Sequence, residues 1–408
     1  MLTQLRLKRF KAVNDSGVIP LDAVNVFIGR NGSGKSSVVE FLELVANAVE
    51  FDLQMAGTPF RRGRDLIRGW TGDSGDEALL CLSFDPGDVS AGDRVHYEFG
   101  IAADSTGESL EISRENLWVT AGGTRTDIIR TDDGVRLYRV PPTRLSGRIK
   151  GQRSVPKRGA GERLGSDWIR IEDGFTPAIK HVDSMFSKGG HAIRSWLEGM
   201  LTLRLSPTAV AEFAPRRRRR GKKDIDPLGY QTAELLAALS EDERLALLDK
   251  LKFVTAGFSE LVSHEPSGPS DQRYFYVREK NGHHDVEIPA WVLSEGTRRL
   301  TSILAVTLRE RPPPLLAIEE VENGFDPWTL RFVLEELVAC SERGTQIVLT
   351  THSPHLMNML PREVFHFVSR SDGGPHFSKL DGDAGAKRVL GVMGVGDAYA
   401  GNLLRQGS

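Results

Sequence analysis

Three short stretches of this chain carry residue types that could handle a polyphosphate. Gly29-Arg30-Asn31-Gly32-Ser33-Gly34-Lys35-Ser36, followed by Ser37, fits the pattern G-x-x-x-x-G-K-[ST]. Glycines at that spacing let successive backbone N–H groups turn inward on an anion. A helix starting there adds partial positive charge. Lys35 would reach the outer phosphates, and the Ser36 hydroxyl would ligate Mg²⁺. A second stretch, Leu315-Leu316-Ala317-Ile318-Glu319-Glu320, is an apolar run ending in two carboxylates. Strand C-termini open onto the ligand crevice of a parallel sheet. Neighbouring strand residues point opposite ways, so the two acids should have different tasks. Glu319 would hold Mg²⁺ through water, and Glu320 would orient or deprotonate an attacking water. In the third stretch, Thr350-Thr351-His352-Ser353-Pro354, a histidine follows a buried apolar run.

The elements that must position these groups are legible around them. Val24–Ile28 reads as a buried strand and Ser36–Glu50 as an amphipathic helix, the context the phosphate loop requires. Residues 2–10 alternate as a half-buried strand does. Glu77–Phe84, Arg94–Ala102, Leu110–Val119 and Arg125–Tyr138 are β-rich and separated by turn residues, which predicts an antiparallel meander. The Gly-, Arg- and Ser-rich interval 143–170 reads as a loop. Helical periodicity covers 177–205 and 227–262. Strands are expected at Arg273–Val277 and Asp285–Ala290, around a turn at Asn281-Gly282. A helix is expected from Glu295 to Glu310, halted by three prolines. A strand at Leu315–Ile318, a helix at Trp328–Ser341 and a strand at Gln346–Thr350 complete the pattern. No internal repeat and no long heptad run occurs.

Composition narrows the class. The 408 residues are 39% hydrophobic, ordinary for a buried core, and no apolar run approaches a bilayer span. The charged N-terminus lacks a secretory signal pattern. The two cysteines, Cys81 and Cys340, are far apart and read as reduced thiols of a cytoplasmic protein. Net charge is −2, but it is uneven. Segment 144–170 holds eight basic residues. The run Arg216, Arg217, Arg218, Arg219, Arg220, Lys222, Lys223 holds seven more, and the rest of the chain has 38 basic against 53 acidic residues. The patches could contact nucleic-acid phosphates without reading sequence, or be solvated loops; neither interleaves aromatics for base stacking.

Leu293-Ser294-Glu295-Gly296-Thr297-Arg298-Arg299 resembles the signature motif of the ATP-binding-cassette ATPases, and it precedes the acidic pair in the expected order. Ser294, the Gly296 N–H and the helix dipole would make a second anion site. The resemblance implies ATP as nucleotide, with Ser294 and Gly296 covering the γ-phosphate bound by a partner copy. It also implies a dimer-contact role for Asp326 and a switch role for His352. The RLKRFKAVND start, the GRNGSGKSS loop, IEEVENGFDP, TTHSP and the roughly 260-residue insert between Lys35 and Ser294 are similar to the RecF/SMC/OLD branch rather than to transporter ATPases. The resemblance is specific over 1–50 and 290–360. Three departures stand out. Glu319 replaces the usual Asp, Glu295 and Thr297 replace the commoner Gly and Gln, and only Gln54 and Gln152 are candidates for the glutamine that links Mg²⁺ to the helical lobe.

The expected fold is therefore α/β: an ABC-ATPase head with a mixed parallel sheet, an antiparallel β meander and an inserted helical lobe. Residues 1–140 would carry the phosphate loop and meander, 141–289 the basic and helical lobe, 290–385 the signature, acidic pair and histidine, and 386–408 a tail. The expected activity is Mg²⁺-dependent ATP hydrolysis by a homodimer. Two roles are open: a DNA-engaging clamp of repair or genome defence, or a switch controlling a separate nuclease or toxin effector. Only about 55 residues follow His352, too few for a nuclease domain, and Asp381, Asp383 and Asp397 are too scattered for a metal site.

Overall fold

The computed structural model describes residues 1–57, 77–85, 94–103, 109–132, 135–139, 168–171, 173–182, 187–211, 225–265, 267, 273–281, 284–371, 373–382 and 384–404. The chain divides into two compact units. One comprises Met1–Leu21, Gly32–Glu198 and Arg370–Phe377; the other comprises Asp22–Asn31, Gly199–Ser369 and Ser378–Ser408.

The chain opens with β1 (Leu2–Phe10), β2 (Val13–Asp15) and β3 (Ile19–Pro20), then β4 (Val24–Ile28), which belongs to the second unit. The first unit continues with β5 (Glu77–Phe84), β6 (Arg94–Ala103), β7 (Leu110–Ala121), β8 (Thr124–Asp132), β9 (Val135–Arg139) and β10 (Trp168–Ile171). These form one sheet in the order β10-β9-β8-β7-β6-β5-β1-β2, with β3 paired to β1. The meander is as its alternation implies: in β5 the even-numbered apolar residues are buried and their neighbours half-buried. The interval 125–138, read as one strand, is two paired strands. They pair antiparallel, Asp132 opposite Val135. Helix Lys35–Glu50 buries Val38, Leu42, Val45 and Val49, and its Phe41 ring stacks on Phe10 with centroids 4.3 Å apart. Cys81 is half-buried, and burial pushes its thiol up to about 11.

The second unit is built on a six-stranded sheet. Its new strands are β11 (Leu201–Leu203), β15 (Leu315–Ile318), β16 (Gln346–Thr351), β17 (Phe365–Ser371) and β18 (Gly374–Lys379), in the order β11-β15-β16-β4-β17-β18. A three-stranded sheet between them in sequence holds β12 (Phe258–Ser263), β13 (Phe275–Asn281) and β14 (His284–Pro289). The core strands β11, β15, β16, β4 and β17 run parallel. β15 and β16 are buried along their whole length, as both-face-covered parallel strands are.

Two intervals read as helical differ in detail. Residues 177–205 break into helix Lys188–Gly199 and strand β11, whose three residues gain their conformation from pairing with β15. Residues 227–262 break at Ser240, where a capping box with Glu243 starts helix Glu241–Val254; β12 follows.

Candidate nucleotide site

Register decides which residues meet. Leu203 pairs with Ile318, Ile318 with Leu349, Leu349 with Val26, and Thr351 with Ile28. The C-terminal ends of β11 and β15 are therefore level with each other, and those of β16 and β4 are level two residues further on. The residues just beyond them are Arg204, Glu319 with Glu320, His352, and Gly29 with Arg30. This is the crevice edge of a parallel sheet.

There Arg30 and Asn31 of the phosphate loop, Glu320, and His352 line one cavity of about 660 Å³. These four are residues that the sequence motifs single out. Glu322 and Asn323, inside the IEEVENGFDP stretch but given no role there, and Tyr399 also line it. Among the described residues, the loop splits between the units: Gly29–Asn31 lie in the second, Gly32–Ser37 in the first. Gly34 caps helix Lys35–Glu50 with φ 103°, a left-handed conformation that favours glycine. Lys35, Ser33 and Ser37 are buried, and Ser36 is half-buried. The buried Ser33 hydroxyl has no hydrogen-bond partner among the described residues, which fits an acceptor supplied by a ligand.

The acidic pair does not sit on a regular strand. β15 ends at Ile318, and Glu320 has φ 48°, an unusual backbone for a residue with a side chain. The expected divergence of the two carboxylates comes from this bend rather than from strand alternation. Glu319, mostly buried, accepts from Arg204 Nε at 2.7 Å. Glu320 is exposed and accepts from Asn323 Nδ2 at 2.6 Å, while its backbone N–H donates to Thr350 Oγ1 at 3.0 Å. The backbone N–H of His352 donates to Glu322 Oε1 at 2.8 Å, which ties the histidine turn to the acidic loop.

Ser294 is the exposed N-cap of helix Glu295–Thr307. Its hydroxyl accepts from the Thr297 N–H at 3.1 Å and lies 2.7 Å from Thr297 Oγ1. Gly296 packs against the acidic loop: a Cβ on it would lie 2.6 Å from the Gly324 carbonyl oxygen. Arg299, buried one turn on, donates to the carbonyls of Leu205 (2.8 Å) and Glu320 (3.3 Å); burial lowers its pKa. Asp326 is exposed and caps helix Pro327–Glu342, accepting from the N–H groups of Trp328 and Thr329 and from the Thr329 hydroxyl. That hydroxyl bond, with the two N–H groups, holds its pKa down.

Gln54 is exposed in helix Leu53–Gly57; Gln152 lies outside the described residues. So do the run Arg216, Arg217, Arg218, Arg219, Arg220, Lys222, Lys223 and residues 144–167 of the other basic segment. Among the described residues no group of three or more His, Cys, Asp or Glu is disposed to hold a metal. The Ser36 hydroxyl, in the first unit, and the Glu319 carboxylate, in the second, each offer oxygen, the donor type that suits a hard cation. Among the described residues no helix is long and apolar enough to cross a membrane.

Solved structures similar to this chain include heads of SMC proteins. An SmcHead bound to the C-winged helix domain of ScpA aligns over 92% of this chain and 97% of its own, at 14% identity and TM-score 0.54. An Smc head with an extended coiled coil, bound to the C-terminal domain of ScpA and derived from Pyrococcus furiosus, aligns over 96% and 98%, at 14% identity and TM-score 0.53. An Smc head with a coiled coil and joint from Pyrococcus yayanosii aligns over 96% and 99%, at 12% identity and TM-score 0.53. These likenesses establish the fold. A search of curated proteins found no match. The family model "AAA domain, putative AbiEii toxin, Type IV TA system" matches residues 24–358. The chain thus belongs to that AAA-domain family.

Proposed function

We propose that the protein hydrolyses ATP and works as an ATP-gated pair of copies, with residues 29–37 gripping the nucleotide of one copy and Ser294 and Gly296 of the other covering its γ-phosphate. The observation that carries this reading is the single cavity lined by Arg30, Asn31, Glu320 and His352, which come from three separate stretches of sequence. In the reaction, water attacks the γ-phosphorus in line and the bond to the bridging oxygen breaks. Glu320 orients that water and accepts its proton, and His352 contacts the γ-phosphate. Asn323 holds the Glu320 carboxylate in place for this. Ser36 and Glu319 would hold Mg²⁺, which would supply charge neutralisation. Ser294 and Asp326 are exposed, as contact with a second copy requires.

The pair would act as a clamp on DNA in repair or antiphage defence, with Arg216–Arg220, Lys222 and Lys223 on phosphates in a salt-dependent way. A second reading is a switch that controls a separate nuclease or toxin without binding DNA itself; the family's description places its members in a toxin–antitoxin system. The test of the pairing is Glu320→Gln in saturating Mg-ATP, examined by light scattering. A dimer that dissolves when ATP is removed is expected; a monomer under those conditions rejects the sandwich. Binding of the same variant to a duplex DNA of arbitrary sequence, lost when the seven basic residues become Gln, separates the clamp from the switch.

A further inference from the structure

The family match ends at residue 358, yet two carbonyls of the phosphate loop are held by side chains beyond it. Tyr399 Oη donates to the Gly29 carbonyl oxygen at 2.9 Å, and the residue lines the same cavity as Glu320 and His352. Arg370 Nη1 donates to the Gly32 carbonyl oxygen at 3.1 Å. Tyr399 rides on helix Val395–Ala400, which has a closely fitted seat. The Gly396 N–H donates to Asn358 Oδ1 at 2.8 Å, and Val395 and Ala398 are buried. A Cβ on Gly396 would lie 1.8 Å from the carbonyl oxygen of Pro354, so only glycine permits this approach. Pro354 and Asn358 bracket the short helix that follows His352. The C-terminal helix thus rests on the histidine turn and reaches back to the first glycine of the loop.

A loop that grips an anion through N–H groups must keep each peptide plane turned so that the N–H faces the ligand and the carbonyl faces away. A donor on the carbonyl helps to fix that plane, because it ties the carbonyl oxygen to one direction. The Gly29 carbonyl and the Arg30 N–H belong to one plane. We propose that Tyr399 is a positioning residue for the phosphate loop: it sets the Gly29–Arg30 peptide, and the C-terminal helix is thereby a working part of the nucleotide site. The proposal rests on the reading of residues 29–37 as the ATP-binding loop.

Tyr399→Phe removes the donor and nothing else. Its KM for Mg-ATP should rise about three- to tenfold, the scale of one hydrogen bond, with kcat within about twofold and an unchanged melting temperature. Gly396→Ala lifts the helix from its seat and should raise KM similarly, and the double variant should show no further rise. A KM for Tyr399→Phe within twofold of the native value overturns the proposal, as does an additive double variant. Lys35→Ala keeps the two failures apart. If it still binds Mg-ATP, the reading of the loop is wrong. If it loses binding while Tyr399→Phe keeps the native KM, only the role of Tyr399 falls.

Discussion

Arg204 Nε donates to Glu319 Oε1 at 2.7 Å, across two strand ends brought level by the pairing of Leu203 with Ile318. A cation therefore already holds the carboxylate assigned to Mg²⁺. Replacing it by an uncharged side chain of similar length, Arg204→Met, should tighten metal binding. The Mg²⁺ concentration for half-maximal ATPase is expected to fall about three- to tenfold, since a unit charge in partly buried surroundings acts over several ångström. Phosphate release measured across a Mg²⁺ titration checks this, and an unchanged requirement would remove Glu319 from the metal.

Glu320 stands at φ 48°, where a Cβ costs energy and glycine does not. Glu320→Gly should therefore be more stable than Glu320→Ala by about 1 kcal/mol in chemical denaturation. Both should lose ATP turnover by about 100-fold or more, as loss of a general base does. Equal stability of the two would show that the backbone turn is relaxed in solution.

Shared sites can be tested by mixing. Lys35→Ala and Ser294→Arg should each be inactive alone. An equal mixture should recover roughly a quarter of the native rate, because random pairing leaves one intact site in half of the dimers. Ser294→Arg also removes an N-cap, so its melting temperature must be followed alongside. A mixture as inactive as its components would place both grips in one chain.

Asp326 supplies both the cap of helix Pro327–Glu342 and the expected contact with a second copy. Its hydrogen bonds hold its carboxyl below the usual aspartate range. The stability it adds is therefore present above the ordinary aspartate pKa and is lost as pH falls through the lowered folded value. Asp326→Ala should cost about 1 kcal/mol at neutral pH and less in strong acid, where the neutral carboxyl still accepts but the charge is gone. Asp326→Asn keeps the cap without the charge and should lie between Asp326→Ala and the native protein at neutral pH. Urea denaturation at the two pH values checks both statements.

In the first unit Arg136 Nη1 meets the fully buried Glu115 at 3.3 Å, and Glu115 also accepts from Tyr97 Oη and the N–H groups of Ala178 and Ile179. Arg136→Met strands a buried carboxylate and should lower unfolding free energy by about 3–5 kcal/mol. A midpoint within experimental error of the native one would show that Glu115 is neutral in the folded protein.

The phosphate loop, acidic pair and His352 were legible because each is contiguous in sequence and each follows an apolar strand. What the alternation of side chains did not reveal is register. Arg204 follows a three-residue strand that exists only by pairing with β15, and Tyr399 belongs to a six-residue helix with no motif of its own. Glu322 and Asn323 were hidden by the acids before them; their roles depend on the bend at Glu320, and a run of four residues gives no sign of a left-handed turn. The meander was readable from its period of two, whereas the helical reading of 177–205 failed where a tertiary partner overrode local preference.

The contact of Gly296 with Gly324 has a mechanical corollary. At that spot two main chains touch with no side chain to yield between them, and Arg299 fastens the same helix to the carbonyl of Glu320. A nudge on the Ser294 turn from outside has no soft padding in which to dissipate. It reaches the Glu320 turn as a displacement of one rigid piece, so that on the proposed reading the arrival of a neighbouring molecule's phosphate and readiness to hydrolyse would be geared together.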